Sequence, residues 1–176
     1  AGKAVPVEQP APAEPEKKPA TVKAPMLAAG DAIKAVLPGM AGGYEEKSAG
    51  SAFTYRIGWR DAAKTDKGGY VFVAKGKGFA STVETMVGVD VNYKIIGVRV
   101  ISQKETEDYG DRVLEIKEGE KSPWFTRQFN GKSPADKIAL KTDGGVIDAI
   151  SGATITSKAV TKSIGEALVQ LQAAVE

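Results

Sequence analysis

The chain has 176 residues, of which 42% are hydrophobic and 26% are charged, as in an ordinary globular protein. Its 24 basic and 22 acidic side chains nearly balance, which argues against a dedicated nucleic-acid-binding protein. The chain has no cysteine and no histidine, so it cannot form disulfides, a Ser-His-Asp triad or the usual Cys and His ligand sets of zinc, haem and iron–sulfur clusters. Redox chemistry on such a chain would need a cofactor held by other groups.

The first thirty residues differ in composition from the rest, because they hold six of the nine prolines. Such a stretch buries too little apolar area to offset the entropy of the chain. We predict a flexible Pro/Ala-rich linker over residues 1–30 and one folded domain over residues 31–176. The chain begins with Ala1 and has no run of 18 apolar residues. This start fits a domain whose membrane anchor lies upstream, a secreted protein after signal cleavage, or a cloning remnant or frayed terminus.

The apolar pattern of residues 31–176 predicts strands first and helices later. A short helix is predicted from Asp31 to Pro38, followed by a glycine-rich loop. Period-two alternation and β-branched runs predict four strands, over 53–60, 70–74, 83–91 and 95–101. The later segments predict helices over 108–118, 123–130 and 154–173, and a hairpin over 138–147. This order predicts an α+β fold with a largely antiparallel sheet flanked by helices.

The segment from Asp148 to Ser157 combines a glycine-containing turn with the predicted start of the last helix. Free N–H groups and the positive dipole end make a helix start a natural phosphate site. Gly152 lets the backbone turn sharply or approach a ligand closely, and the small Ala153 leaves room for a bulky group on Thr154. The alternative is plain capping, because Ser and Thr are common at helix starts.

The string Asp-x-x-Ser-Gly-Ala-Thr, followed by Ile-Thr-Ser, resembles the flavinylation motif of FMN-binding domains. Such domains occur in the G subunit of the Rnf ion-translocating complex and in the C subunit of the sodium-pumping NADH:quinone oxidoreductase. In this family FMN is joined through its phosphate to the threonine hydroxyl, and a separate flavin transferase installs it from FAD with a divalent metal. The resemblance implies covalent FMN on Thr154. It also implies that the transferase recognises Asp148, Ser151, Gly152 and Ala153.

The resemblance continues in family order over about residues 31–170 and is strongest to the Rnf G subunit. The segments that carry it are Ala35–Pro38, Gly76–Phe79, Val87–Asp90, Lys94–Val98, Lys104–Thr106, Pro123–Phe125 and Gln128–Gly131. It implies that further residues contact the cofactor, namely Gly76, Lys77, Gly78, Glu105, Thr106, Tyr109 and Thr156. A solvated loop lysine is the alternative role for Lys77, and Trp124 and Phe125 are predicted as core residues.

One loop departs from the family pattern. At residues 105–110 the family usually has Glu-Thr-Pro-Gly-Leu-Gly. This chain keeps the Glu, the Thr and the last Gly, but has Glu107, Asp108 and Tyr109 in place of Pro, Gly and Leu. The loop is expected to lie against the flavin, where Tyr109 either stacks on the isoalloxazine or is a helix residue. Two acids near the ring would lower the flavin potential by charge repulsion.

The resemblance implies an electron-transfer subunit of an Rnf-type ferredoxin/NAD oxidoreductase, without an acid–base site or a metal of its own. The expected partners are the other subunits of that membrane redox complex, the flavin transferase, and the membrane through an upstream helix. The domain would lie on the periplasmic or extracytoplasmic side. Two alternatives stay open. One is a stand-alone extracytoplasmic FMN-binding electron carrier, and the other is a non-redox binding or structural module whose SGAT segment only caps a helix.

Overall fold

A computed structural model describes Gly2 and residues 22–176 of the chain. Its regular elements, in chain order, are β1 (Val22–Lys23), α1 (Ala29–Val36), β2 (Gly43–Ala49), β3 (Phe53–Trp59), β4 (Lys67–Lys77), β5 (Thr82–Val89), β6 (Ile95–Ser102), β7 (Glu115–Ile116), α2 (Trp124–Arg127) and α3 (Thr154–Val175). Two 3₁₀ turns cover Gly110–Leu114 and Lys141–Asp143. Among the residues described, no helix has both the length and the apolar character that a membrane crossing requires.

The strands β2 to β6 form one antiparallel sheet in which each strand pairs with its neighbours in the sequence. Helix α3 packs on one face, against Phe72 and Val87, and α1 packs on the other, against Val71 and Met86. Adjacent residues of a strand face opposite sides of the sheet, and a helix covers each side, so the central strands carry apolar side chains on both faces. The predicted α+β fold, with a largely antiparallel sheet flanked by helices, is confirmed.

The predicted strands agree with β3 to β6, although β4 extends beyond residues 70–74 at both ends. Strand β2 falls in a region that was predicted only as loop. Its sequence has three consecutive charged residues, Glu45, Glu46 and Lys47, and it lies at an edge of the sheet. Charged side chains are common on edge strands because they discourage pairing with other chains, and they also remove the apolar alternation that predicts a strand.

The predicted helix over 108–118 is wrong. Asp108 has a φ of 62°, which an α-helix does not accept, and the following residues form only the 3₁₀ turn before β7. The helix predicted after Ser122-Pro123 is a single turn, α2, in which Phe125 is fully buried as predicted. Trp124 lies partly buried beside it.

The predicted hairpin over 138–147 is also wrong. The Ile147 N–H donates to the Ala139 carbonyl, and the Ile147 carbonyl accepts from the Lys141 N–H, which together make a parallel bridge. The intervening residues form the second 3₁₀ turn, ended by Gly144 with a φ of 79°. The glycine pair in this segment therefore ends a turn of helix rather than joining two antiparallel strands.

The folded part of the chain begins before the predicted boundary at residue 31. Val22 and Lys23 pair with Ile116 and Glu115, and the Ala24 N–H donates to the Leu114 carbonyl. The predicted linker is therefore wrong for residues 22–30, because this pairing with a distant segment leaves no mark on local composition. The remainder of that prediction, residues 1 and 3–21, lies outside the described residues.

Candidate functional site

The start of α3 is open to solvent and lacks a side-chain cap. Ala153 occupies the N-cap position, where it cannot accept a side-chain hydrogen bond, and Thr154 is exposed at the first helical position. Within residues 22–176, the main-chain N–H groups of Thr154, Ile155 and Thr156 have no hydrogen-bond acceptor. Unpaired N–H groups at the positive end of a helix favour an anion. The capping hydrogen bond that the helix-cap alternative requires is not formed.

A tight turn leads into α3. The Ala153 N–H donates to the Ile150 carbonyl at 3.0 Å, and Gly152 between them has a φ of 79°, a conformation that glycine adopts readily. The turn is held from inside by the buried Ser157, whose hydroxyl accepts from the Ile150 N–H and donates to the Ala153 carbonyl. Sequence reasoning missed this role of Ser157, although the residue lies within the motif.

Thr154 borders a cleft of about 510 Å³ between the start of α3 and two loops. Its lining residues are Phe79, Thr106, Tyr109, Gly110, Gly152, Ala153, Thr154, Ile155 and Thr156. Three large apolar side chains stand exposed around it, with exposed fractions of 71% for Phe79, 57% for Tyr109 and 56% for Ile155. Apolar side chains gathered in this way at one surface site indicate ligand or partner binding.

Two of these three residues were not predicted as site residues. Phe79 ends the Gly-x-Gly-aromatic segment, which was the available signal. Ile155 is an apolar residue of the predicted last helix, but it lies exposed at the cleft. The buried face of α3 contains Ser157, Val160, Ile164, Leu168 and Leu171, and Ile155 lies on the opposite face of the helix.

Glu105 joins the two sides of the cleft. Its carboxylate, 8% exposed, accepts hydrogen bonds from the N–H groups of Phe79 and Ala80, from the Ser81 hydroxyl and, at 2.7 Å, from the Thr156 hydroxyl. Burial raises the pKa of Glu105, but the hydrogen bonds outweigh it and leave the pKa below its usual value. Because both oxygens have protein donors, Glu105 fixes the 78–81 loop to α3.

The glycines on either side of Glu105 allow this close packing. A Cβ atom at Gly78 would overlap Oε1 of Glu105, and one at Gly110 would lie 2.6 Å from the Thr156 hydroxyl oxygen. Gly76, which lies in β4 two residues before Gly78, has a similar role, because a Cβ there would overlap the Ala159 carbonyl of α3. These glycines let α3 and Glu105 approach the sheet closely, whereas the resemblance implied cofactor contacts for Gly76 and Gly78.

The structure brings together at the cleft six of the predicted site residues, namely Thr106, Tyr109, Gly152, Ala153, Thr154 and Thr156. The others lie outside its lining. Asp148 is exposed and forms an ion pair with Lys141 at 3.0 Å. Ser151 is exposed, and its carbonyl accepts from Arg112. Lys77 is exposed near the 78–81 loop, with no ion-pair partner among the described residues.

The loop over residues 107–109, which departs from the family pattern, has a residue in the left-handed backbone conformation that is not glycine. Asp108, with its φ of 62°, stands where the family pattern has glycine, and Asp tolerates this conformation better than most residues. Lys23 lies 2.5 Å from Asp111 and 3.6 Å from Asp108, and its hydrogen bond to Asp111 raises the pKa of Lys23. Asp108 is one of the two acids that were expected to lower a flavin potential, so Lys23 pairs with one of them. Tyr109 precedes the 3₁₀ turn, with its ring beside Gly152.

The fold and this site define an α+β domain whose last helix begins, with an exposed threonine, beside an apolar cleft. The family model described as "FMN-binding domain" matches residues 78–169, just over half of the chain, and the chain belongs to that family. The resemblance seen in the sequence is thereby confirmed. The chain also shares its fold with the crystal structure of Shewanella oneidensis NqrC, with a TM-score of 0.50, 22% identity and coverage of 73% of this chain and 69% of that one.

Among curated proteins the chain is similar to the G subunit of the ion-translocating oxidoreductase complex. The Pseudomonas aeruginosa protein is 42% identical over 95 residues, which cover 52% of this chain and 42% of that protein. The Shewanella amazonensis protein is 35% identical over 100 residues, which cover 54% of this chain and 44% of that protein. The chain thus spans less than half the length of these relatives.

Proposed function

We propose that the chain carries FMN as a phosphoester on Thr154 and transfers electrons within an ion-translocating oxidoreductase complex. The observation that carries the proposal is the exposed Thr154 hydroxyl at the uncapped start of α3, beside a cleft with apolar walls. The family match supports FMN as the cofactor. The names of the two curated relatives support the complex.

The attachment step is the transfer of the FMN moiety from FAD. Thr154 Oγ1 forms the new bond to the flavin-side phosphorus, the P–O bond of the pyrophosphate breaks, AMP leaves, and the hydroxyl proton is released. A separate flavin transferase with a divalent metal would provide the base and the metal. The exposed position of Thr154 supports this division of roles, because a second protein must reach the hydroxyl.

The residues around Thr154 fit such a group. The free N–H groups of the first turn of α3 and the helix dipole would stabilise the phosphate, which the ester bond leaves with one negative charge. Phe79, Tyr109 and Ile155 would pack against the isoalloxazine and replace water at its apolar surface. When bound, FMN supplies the one- and two-electron redox chemistry that the chain's own side chains lack.

The same proposal covers where the domain acts. An upstream membrane helix would tether it on the extracytoplasmic side, where it would exchange electrons with the other subunits. One-electron transfer needs an accessible cofactor edge and no acid–base residue. The open cleft meets the first condition, since Phe79 and Tyr109 are themselves largely exposed.

The test is covalent loading. The chain is co-expressed with a flavin transferase, and the intact mass and visible spectrum are measured after denaturation. We expect a gain of one FMN less one water in the wild type, and the same gain in the control Thr142→Ala, which alters an exposed threonine of the second 3₁₀ turn. Thr154→Ala should show no gain. If the wild type gains nothing while the transferase modifies a known substrate, the proposal is wrong.

A further inference from the structure

We propose that Arg112 is a positioning residue that holds the Ser151–Gly152 peptide in one orientation and so prepares Thr154 for flavin attachment. The inference rests on the proposed function. It starts from two hydrogen bonds of one guanidinium, in which Nη1 donates to the Ser151 carbonyl at 3.1 Å and Nη2 donates to Glu115 Oε2 at 3.2 Å. Arg112 lies 39 residues from the turn in sequence, and neither the motif nor the resemblance pointed to it.

The turn before Thr154 is of a kind that can flip. The hydrogen bond from the Ala153 N–H to the Ile150 carbonyl closes a β-turn with Ser151 and Gly152 at its centre. Gly152 has a φ of 79°. Among the described residues, the non-glycine residues with positive φ are Lys64, Tyr93 and Asp108, so the φ of Ser151 is negative. This combination defines a type II turn. Types I and II differ mainly by a flip of the central peptide, and glycine accepts both.

The direction of the Ser151 carbonyl therefore depends on the turn type. In the type II turn this carbonyl meets Arg112, and a flip to type I would turn it away and break the hydrogen bond. A trans peptide points its N–H opposite to its carbonyl, so the flip would also exchange the Gly152 N–H for a carbonyl oxygen on the other side of the turn. After the flip, a carbonyl oxygen would stand where the Gly152 N–H stood, two residues before Thr154. A carbonyl oxygen at that place would repel the phosphate that Thr154 is to receive.

Arg112 is itself held in place. The Glu115 carboxylate is only 8% exposed and also accepts a 2.8 Å hydrogen bond from Trp124 Nε1. Glu115 belongs to β7, whose main chain pairs with Lys23 of β1. The rigid fork of a guanidinium can bind a carboxylate and a carbonyl at once, whereas a lysine ammonium would lose this fixed geometry. The arrangement joins the buried carboxylate to the exposed turn through one planar group.

The experiment compares Arg112→Gln, Arg112→Lys, Gly152→Ala and the double variant Arg112→Gln/Gly152→Ala. Arg127→Gln is the control, because Arg127 forms an ion pair with Glu120 outside the cleft. The first measurement needs no flavin: the chemical shifts of the Ser151 carbonyl carbon and the Gly152 amide in the flavin-free chain. The second is the rate of FMN attachment by a flavin transferase, resolved into kcat and KM by mass spectrometry.

We expect Arg112→Gln to shift both NMR signals and to lower kcat for attachment about tenfold, with KM little changed, the size expected for one charge-assisted hydrogen bond. Arg112→Lys should recover part of the rate. An L-residue at 152 is strained in a type II turn, so Gly152→Ala should shift the same signals, and adding Arg112→Gln to it should cause little further loss. Arg127→Gln should match the wild type in both measurements.

Several results would overturn the inference. Unchanged NMR signals in a folded Arg112→Gln chain would exclude the positioning role, and so would an unchanged attachment rate. Additive losses in the double variant would show that Arg112 acts independently of the turn, for instance by touching the transferase. If Arg112→Gln does not fold, Arg112→Lys and Glu115→Gln decide the same questions. If the wild type takes no FMN, the proposed function fails, while the NMR comparison still tests whether Arg112 holds the peptide.

Discussion

The two helices that pack on the faces of the sheet begin in different electrostatic settings. Both α1 and α3 start after an alanine, Ala28 and Ala153, and neither start has a side-chain cap. Helix α1 carries Asp31 in its first turn, whereas the first turn of α3 contains no acid. An acid in the first turn offsets the positive end of the helix dipole. The positive end of α1 is thus offset by an acid of its own first turn. At α3 the nearby carboxylate, Glu105, bonds the Thr156 side chain instead, and the main-chain N–H groups of the first turn lack an acceptor among the described residues.

The largest effect is expected from removing the carboxylate that holds the start of α3 in place. Glu105→Ala leaves two N–H groups and two hydroxyls without their acceptor, and we expect a loss of about 3 kcal/mol in the free energy of unfolding. The matched change at the other helix, Asp31→Ala, should cost only about 0.5 kcal/mol. Urea denaturation of the flavin-free variants measures both. Equal losses would show that the two helix starts do not differ in this way.

The same carboxylate makes stability depend on pH. Because the folded state lowers the pKa of Glu105, its contribution is fully present above the unfolded-state pKa of about 4.3 and is lost as pH falls through the lower folded-state value. Acid titration of the unfolding midpoint should therefore show a weaker fall below about pH 4.3 in Glu105→Gln than in the wild type. Parallel curves would contradict this assignment.

Giving α3 the acid that α1 has should weaken its suitability for an anion. Ile155→Glu places a carboxylate in the first turn of α3, where it should stabilise the helix by about 0.5 kcal/mol. The same charge would compete with the FMN phosphate, so the rate of attachment should fall while the melting temperature rises slightly. Ile155→Gln is the control for the lost apolar side chain. If Ile155→Glu and Ile155→Gln give the same attachment rate, the positive end of the α3 dipole does not contribute to binding the FMN phosphate.

The last comparison concerns the aromatic ring of Tyr109, which faces the cleft. Tyr109→Leu restores the residue of the family pattern and should cost the loaded protein about 1 kcal/mol of ring packing, seen as a smaller gain in stability on flavin attachment. The fluorescence of the attached flavin should rise, because an aromatic neighbour that quenches it is removed. Phe79→Leu, on the opposite loop, is the comparison variant. If neither the stability gain nor the fluorescence changes, the isoalloxazine ring of the flavin does not contact Tyr109.

The sequence predicted well those features that are local. Alternation predicted β3, a β-branched run predicted β6, periodicity predicted α3, and the glycine-containing turn before Thr154 was also predicted. Each depends on residues close in the chain, where spacing reports directly on geometry. The family pattern also placed Glu105 and Tyr109 near the site.

The contacts that the sequence did not reveal are between distant segments. The carboxylate of Glu105 is saturated by donors from residues 79–81 and 156, and the Ser151 carbonyl is held by Arg112. Strand β1 forms only because β7 offers an edge about ninety residues later, and residues 22–30 look like linker without it. Periodicity carries no information on such pairings, so it also did not reveal the close packing at Gly76 and Gly78.

The pairing of β1 with β7 has a mechanical consequence. Strand β1 begins at Val22, and Lys23 forms an ion pair with Asp111. Asp111 is the neighbour of Arg112, which binds the Ser151 carbonyl. Asp111 directly follows Gly110, which lines the cleft, so this attachment lies next to the cleft. Because strand pairing and this ion pair fix β1 to the segment that borders the cleft, the first strand and the cleft keep one orientation relative to each other.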